Sequence, residues 1–265
     1  MIDKQTINFW NGNKSPARQA YELALLELLL ANTNLRNSKV SNDLTDHPKA
    51  EDEGNVFEHQ TDILVTVAGN KKFHHKPLIS LKTPICKGLL GQRVLIIRKQ
   101  DQTQFTTMTT NELKQKIAGI PATWVDADLF RLNGFKVLEE GSLAHMFQQL
   151  KDKKCDYVSL GVNEAQSLLN EYNNGFDNSG DLSIEDSLLI SYPLPLVFYV
   201  HPERQDLAEQ LKLALQDLQV NADWENLFEL HYGQFIRSLN VKNRRQISLK
   251  NPNIPKELQA LPRGF

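Results

Sequence analysis

Short apolar runs alternate with stretches of helical periodicity along the whole chain. Thr6-Ile7-Asn8-Phe9-Trp10 reads as a strand and Asn11 to Pro16 as the turn after it, with Ser15 placed to cap a helix and Pro16 at its first position. Tyr21, Leu25, Leu28 and Leu29 then recur at helical spacing, and Leu23 to Ala31, broken only by Glu27, lies in one buried helix. Lys39 to Leu44 reads as a second strand, and Pro48 to Phe57 as an acidic, exposed helix. Asp62 to Val67 is a third strand, apolar enough to be covered on both faces. Strand, helix, strand, helix, strand implies right-handed crossovers and a largely parallel sheet.

The stretch from Lys71 to Ile85 is irregular, basic and histidine-bearing. Two apolar strands then bracket the middle of the chain, Arg93 to Lys99 and Tyr192 to Val200. Between them Thr110 caps a helix over 111–116, Ile117 to Ile120 is a strand, and Thr123 to Asn133 is a helix closed by Gly134. Phe135 to Leu138 and Cys155 to Leu160 read as strands, separated by an amphipathic helix that Ser142 caps. A helix from Glu164 to Tyr172 and a polar loop from Asn173 to Asp181 follow. After Val200, Pro202 to Leu218 is a strongly amphipathic helix with Leu207, Leu211, Ala214, Leu215 and Leu218 on one face. Trp224 to Tyr232 is another, ended by Gly233, and the proline-punctuated tail from Lys250 to Phe265 runs extended over the surface.

This order predicts an α/β chain of two lobes. Lobe 1 is expected over 1–97 plus 197–265 and lobe 2, inserted, over 98–196, joined by two hinge crossings. Clefts between lobes are where small ligands bind, so the pattern points to a ligand clamp rather than to a catalytic centre.

A chain of 265 residues suffices for two such lobes, and its formal charge of -2 lacks the basic excess of a nucleic-acid binder. No apolar run approaches the ~20 residues that span a bilayer. Cys86 and Cys155 fall in different expected lobes and lack metal-ligand spacing, so both read as packed thiols. Met1 to Gln5 carries no basic-then-apolar leader, and an export signal is expected to have been removed ahead of Ile2. The sequence has no Gly-x-Ser-x-Gly elbow, no phosphate-loop lysine motif and no Gly-x-Gly-x-x-Gly after the first strand. No cofactor or metal is expected.

Candidate contacts gather where parallel strands end, the edge at which α/β sheets take ligands. Gly12 and Asn13 follow the first strand, and Gly69 and Asn70 follow the third; each pair reads as a ligand contact or a plain turn. Trp10 reads as a core indole or a stacking surface. His74 and His75 are adjacent, which suits the surface better than a metal pair. Ala122-Thr123-Trp124-Val125-Asp126 opens a helix whose free N–H groups favour an anion; Thr123 caps it, contacts a ligand, or does both, and Trp124 forms an aromatic wall. Arg93 reaches the cleft or ends an exposed strand. Asn163 and Glu164 stand at a later helix start.

Several short motifs, taken in order, carry a resemblance. They are Thr83-Pro84-Ile85 followed by Gly88-Leu89-Leu90-Gly91, Asp156-Tyr157 before Gly161, Tyr192-Pro193-Leu194-Pro195, and Trp224-Glu225-Asn226-Leu227-Phe228. From Ile7 to about Asn251 the chain resembles the type 2 periplasmic solute-binding proteins, specifically a poorly characterised sub-group near the amino-acid-binding family 3 components of bacterial ABC importers. The resemblance implies a periplasmic monomer that closes on an amino-acid-like solute or small organic acid and docks on an ABC permease or a membrane sensor. It also implies that Thr123 sits where relatives hold a carboxylate. Two departures bear on the ligand. Relatives place an arginine before the Pro84 motif, where this chain has Asn70-Lys71-Lys72-Phe73-His74-His75-Lys76, leaving Lys72 or His75 to meet an anion without the planar fork of arginine. Relatives also hold an ammonium with an aspartate where this chain has Gly161, with Glu164 a turn later. The same scaffold admits a dehydratase of cyclic acids, with Glu164 or Asp126 as general acid, or a sensory and interaction domain without transport.

Overall fold

A computed structural model describes residues 6–175, 180–218 and 221–258. Backbone contacts divide the chain into unit 1, residues 1–86 with 195–234, and unit 2, residues 87–194 with 235–265. The chain therefore passes between units three times, at 86/87, 194/195 and 234/235. This division differs from the expected one in where it puts 87–97, 195–196 and 235–265. The pairings described below give the reason: the first stretch feeds a central strand of the unit 2 sheet, the second a strand of the unit 1 sheet, and the third the unit 2 edge.

Unit 1 is built on a five-stranded sheet. Its strands are β1 (Thr6–Trp10), β2 (Lys39–Asp43), β3 (Ile63–Val67) and β4 (Ile79–Leu81), with β11 (Leu196–Val200) returning late in the chain; the order is β2-β1-β3-β11-β4. β1 runs parallel to β2 and β3, with Ile7 opposite Val40 and Phe9 opposite Ile63. β11 is antiparallel to both its neighbours, with Val65 opposite Phe198 and Leu81 on its other side. Helix α1 (Pro16–Ala31) begins as expected: Ser15 accepts from the Arg18 N–H, and Pro16 opens the first turn. It buries Tyr21, Leu25, Leu26, Leu29 and Leu30. The acidic stretch before β3 is not an exposed helix. It is a short helix α2 (Ala50–Gly54) and a 3-10 turn (Val56–His59), with Glu53, Val56 and Phe57 buried, because its apolar residues fold under while Glu53 turns toward cations of its own unit.

Unit 2 holds a seven-stranded sheet. Its strands are β5 (Gln92–Arg98), β6 (Ile117–Ile120), β7 (Lys136–Glu139), β8 (Tyr157–Gly161), β9 (Leu182–Ile184), β10 (Leu188–Ser191) and β12 (Arg245–Ser248). The order is β12-β10-β5-β8-β6-β7, and β9 pairs with β5. β6 is parallel to β7 and β8, and β12 to β10, whereas β5 runs against β8, β9 and β10. Each sheet is thus mainly parallel with one reversed strand, β11 in unit 1 and β5 in unit 2. Those two are the apolar strands that bracket the middle of the sequence.

The helices of this middle region are α3 (Gln102–Thr107), α4 (Thr110–Gln115), α5 (Val125–Leu132), α6 (Leu143–Lys151) and α7 (Ala165–Gly175). Ser142 caps α6 as expected. Thr109, not Thr110, caps α4, because Glu112 lies three residues after Thr109 and completes a capping box with it. Helix α8 (Gln205–Leu218) buries the predicted stripe of Leu207, Leu211, Ala214, Leu215 and Leu218; each leucine contributes about 1.5–3 kcal/mol.

Gly233 does not end the next helix. α9 (Ala222–Phe228) continues through a π turn (Glu229–Gly233) into α10 (Gln234–Ser238). Phe228 and Tyr232 both pack on the Tyr21 ring, which holds this helix in register across the glycine. Of the tail, Lys256–Leu258 forms a 3-10 turn, and residues 259–265 lie outside the described set. Both cysteines are buried. Among the described residues no helix is long and apolar enough to cross a membrane.

Candidate functional site

In unit 1 the loops after β1 and β3 emerge at the same carboxyl edge, since the two strands are parallel neighbours. The loop after β2 lies beside them. Gly12 packs so closely there that a Cβ would overlap the Thr45 carbonyl oxygen. Asn13, held at φ 55°, is fully engaged: its backbone N–H donates to Asp46 at 2.6 Å. Its amide donates to the His47 carbonyl at 2.8 Å and to Glu53 at 2.7 Å, and its Oδ1 accepts from the His47 N–H. Lys72 reaches the same Glu53 carboxylate at 2.8 Å. Asn70 caps the turn that carries Lys72, accepting from the Lys72 N–H and donating to Thr66 at 2.8 Å. The Gly69 N–H donates to the Tyr199 hydroxyl at 3.0 Å.

The structure thus brings Asn13, Asn70 and Lys72 together through Glu53, a residue the sequence pattern did not mark. Trp10 is buried, donating to the Thr45 carbonyl at 2.9 Å with His47 tilted against its ring. It is a core indole. His75 lies apart on an exposed loop at φ 63°, its ring tilted against that of His74 with centroids 4.2 Å apart. Among the described residues no three His, Cys, Asp or Glu side chains are grouped to hold a metal ion.

Beneath this edge Lys14 lies over the Phe9 and Trp10 rings, with Nζ 2.7 Å from Glu22 and 3.1 Å from Asn11. Burial disfavours its charge more than Glu22 favours it, which lowers its pKa to about 8.

In unit 2 the carboxyl edge of β6 and β8 is ionic and buried. Arg93, the second residue of β5, has Gly161 as its register partner at the end of β8. Its side chain is 2 % exposed. Nε donates to the Tyr192 hydroxyl at 2.7 Å, Nη1 to Glu164 at 3.4 Å, and Nη2 to Asp126. Tyr192 in turn donates to Asp126, and the guanidinium lies over its ring. Burial pushes the Tyr192 phenol well above its usual range, and the facing anions hold the Arg93 charge firmly despite desolvation.

Asp126 belongs to the first turn of α5 and Glu164 precedes α7, so each carboxylate sits at a positive helix end. A Cβ at Gly161 would lie 2.6 Å from Asn163 Oδ1 and 3.3 Å from Arg93 Nη1. Asn163 is 0 % exposed, and neither of its amide atoms has a hydrogen-bond partner among the described residues; the buried Ser159 hydroxyl also lacks one.

Thr123 does not cap α5. It is exposed at φ 71°, and Trp124 takes the cap position without a side-chain bond. The Pro121-Ala122 turn swings the threonine into the left-handed region, so the helix starts later than its composition implies. Trp124 is half-buried beside it, and its backbone N–H donates to the Pro121 carbonyl at 3.3 Å. Of the residues expected at this edge, Arg93, Gly161, Asn163 and Glu164 are brought together and Thr123 is set apart from the ionic cluster. Asp126 and Tyr192, its remaining members, were not expected as partners of Arg93, since nothing in sequence spacing links residues 33 and 99 apart.

No family model and no curated protein sequence matches the chain. Its architecture does match solved structures. An ancestral arginine-binding protein bound to arginine is similar over 86% of this chain and 98% of its own, at 14% identity and a TM-score of 0.59. The amino acid ABC transporter substrate-binding protein AbpA from Streptococcus pneumoniae, bound to L-arginine, matches over 88% and 97%, at 13% identity and 0.59. The probable amino-acid ABC transporter extracellular-binding protein ytmK from Bacillus subtilis matches over 86% and 97%, at 15% identity and 0.59. These neighbours are binding proteins, and the chain spans nearly their whole length. With two mainly parallel sheets, each crossed by one reversed strand, this chain has the two-lobed fold of the type 2 periplasmic binding proteins.

Proposed function

We propose that the chain is an extracytoplasmic solute-binding protein: its two units close on a small polar solute, amino-acid-like or a small organic acid, and deliver it to an ABC importer permease as a monomer. The observation that carries this reading is likeness over 86% or more of the chain to proteins described as amino-acid ABC transporter binding components. The carboxyl edges of both sheets add support, since each gathers polar loop residues at the place where α/β sheets take ligands. In this reading Thr123 and Asn163 contribute contacts from unit 2, and the Gly69 and Lys72 turn contributes from unit 1. Only a solute with unequal affinity for the open and closed forms shifts their balance. Thermal shift across amino acids and small organic acids, followed by small-angle scattering with any stabilising solute, tests the proposal. A saturable stabiliser that also compacts the protein is expected. A library with no stabiliser, or one that stabilises without compaction, overturns it.

A further inference from the structure

At the edge of unit 2 where a solute would bind, the sheet already holds a cation of its own. All three guanidinium nitrogens of Arg93 have acceptors within the unit, on Tyr192, Glu164 and Asp126. Two carboxylates and a phenol around one planar fork form the arrangement that recognises a guanidinium group. Their positions come from the fold rather than from Arg93: Asp126 follows β6 and Glu164 follows β8, parallel neighbours whose loops share an edge.

The charge count also closes. One guanidinium offsets one carboxylate, and the two helix ends supply roughly half a positive charge each against the other. No uncompensated anion remains for a second cation. What remains is Asn163, whose buried amide has two donors and an acceptor unused among the described residues.

We propose that Arg93 is a tethered guanidinium filling the acid pair of unit 2, and that it sets specificity: this unit turns away cationic groups and offers the uncharged amide of Asn163 instead. The solute class is then one that meets unit 2 with a neutral hydrogen-bonding group, such as a carboxamide or hydroxyl. This choice of solute rests on the solute-binding reading above, whereas the occupancy of the acid pair can be tested with no knowledge of the natural ligand.

The experiment is chemical rescue. Arg93→Ala is melted with methylguanidinium, and with methylammonium at equal ionic strength as the shape control. A saturable rise in melting temperature with methylguanidinium alone is expected, absent from the wild type and lost in Arg93→Ala/Glu164→Gln. A folded Arg93→Ala protein indifferent to methylguanidinium overturns the proposal. Where Arg93→Ala does not fold unaided, refolding from urea reads the same point: recovery of native fluorescence in methylguanidinium and not in methylammonium supports it, and no recovery in either overturns it. Wild-type protein is titrated with agmatine and putrescine in parallel, and saturable binding of either overturns the exclusion of cations. Wild-type protein that binds no amino acid or organic acid counts against the solute-binding reading and does not alter what the rescue says about Arg93.

Discussion

Arg93 and Gly161 are register partners across β5 and β8, and the space that a side chain at 161 would need is held by the Asn163 amide, the Leu90 side chain and the Arg93 guanidinium. Gly161→Ala is therefore expected to destabilise unit 2 by about 1–3 kcal/mol through overpacking. Urea unfolding measures it, and an unchanged midpoint would show that Asn163 gives way freely.

Asp126 accepts from both Arg93 and Tyr192. Asp126→Ala leaves a buried guanidinium with a single carboxylate partner and is expected to cost about 3–5 kcal/mol. Arg93→Met/Asp126→Leu replaces the pair by apolar volume and is expected to cost much less than the sum of its single changes. A double-mutant cycle by urea unfolding gives the coupling, and additive losses would mean that the pair does not act as a unit.

Lys14 makes stability depend on alkaline pH. In the folded protein its pKa is about 8, against an ordinary 10.5, because burial disfavours the charged form. Between these values the unfolded chain binds the extra proton, so stability from this group rises with pH from 8 to 10.5, by about 3 kcal/mol in all. Cys155 acts in the opposite sense: burial raises its thiol to about 12, so the folded state keeps a proton that the unfolded one loses above pH 9. The prediction is thus a difference. Over this window Lys14→Met should give a lower slope of stability against pH than the wild type in urea titrations, and superimposable slopes would refute it.

The Tyr21 hydroxyl donates to the Ile85 carbonyl at 2.6 Å and accepts from the Trp224 indole at 2.9 Å. Tyr21→Phe strands a buried acceptor and a buried donor together, for an expected loss of about 1–3 kcal/mol per stranded group. Trp224→Phe removes only the donor and should cost less of this hydrogen-bond term. Thermal melts of the two variants rank them.

Thr123 is a β-branched residue at φ 71°. Thr123→Gly relieves that conformation and is expected to raise stability by about 1 kcal/mol, the strain released exceeding the entropy glycine adds to the unfolded chain. If the threonine also contacts solute, as proposed, the same variant binds its stabilising solute more weakly. Calorimetry and thermal melts on one preparation separate the two effects.

Much of the fold is legible because each signal is local. Ser15-Pro16 and Ser142 announce helix starts through their own backbone chemistry, and the leucine stripe of α8 is visible at its 3.6-residue period. Thr109 was legible too, since Glu112 three residues on is a capping-box signature. β4 and β12 escape for lack of pattern: Ile79–Leu81 is too short to show a period, and Arg245–Ser248 buries only Ile247. The unit 2 edge was half legible. Arg93, Asn163 and Glu164 stand out by position, but their arrangement depends on Tyr192, 99 residues from Arg93, and on β5 running against β8. In unit 1, Glu53 links Asn13 to Lys72 from within a stretch whose acidity disguises its burial.

The late strands have a consequence for biosynthesis. β11 is inserted between β3 and β4, and β12 closes the β10 edge. A nascent chain therefore completes neither sheet until most of its length has been made: unit 1 waits for residue 200 and unit 2 for residue 248. Chains released early expose an open gap in one sheet and an unpaired edge in the other. Ribosome-stalled or truncated forms ending before β11 should be protease-sensitive throughout, and folding should begin in earnest only as the last part of the chain emerges.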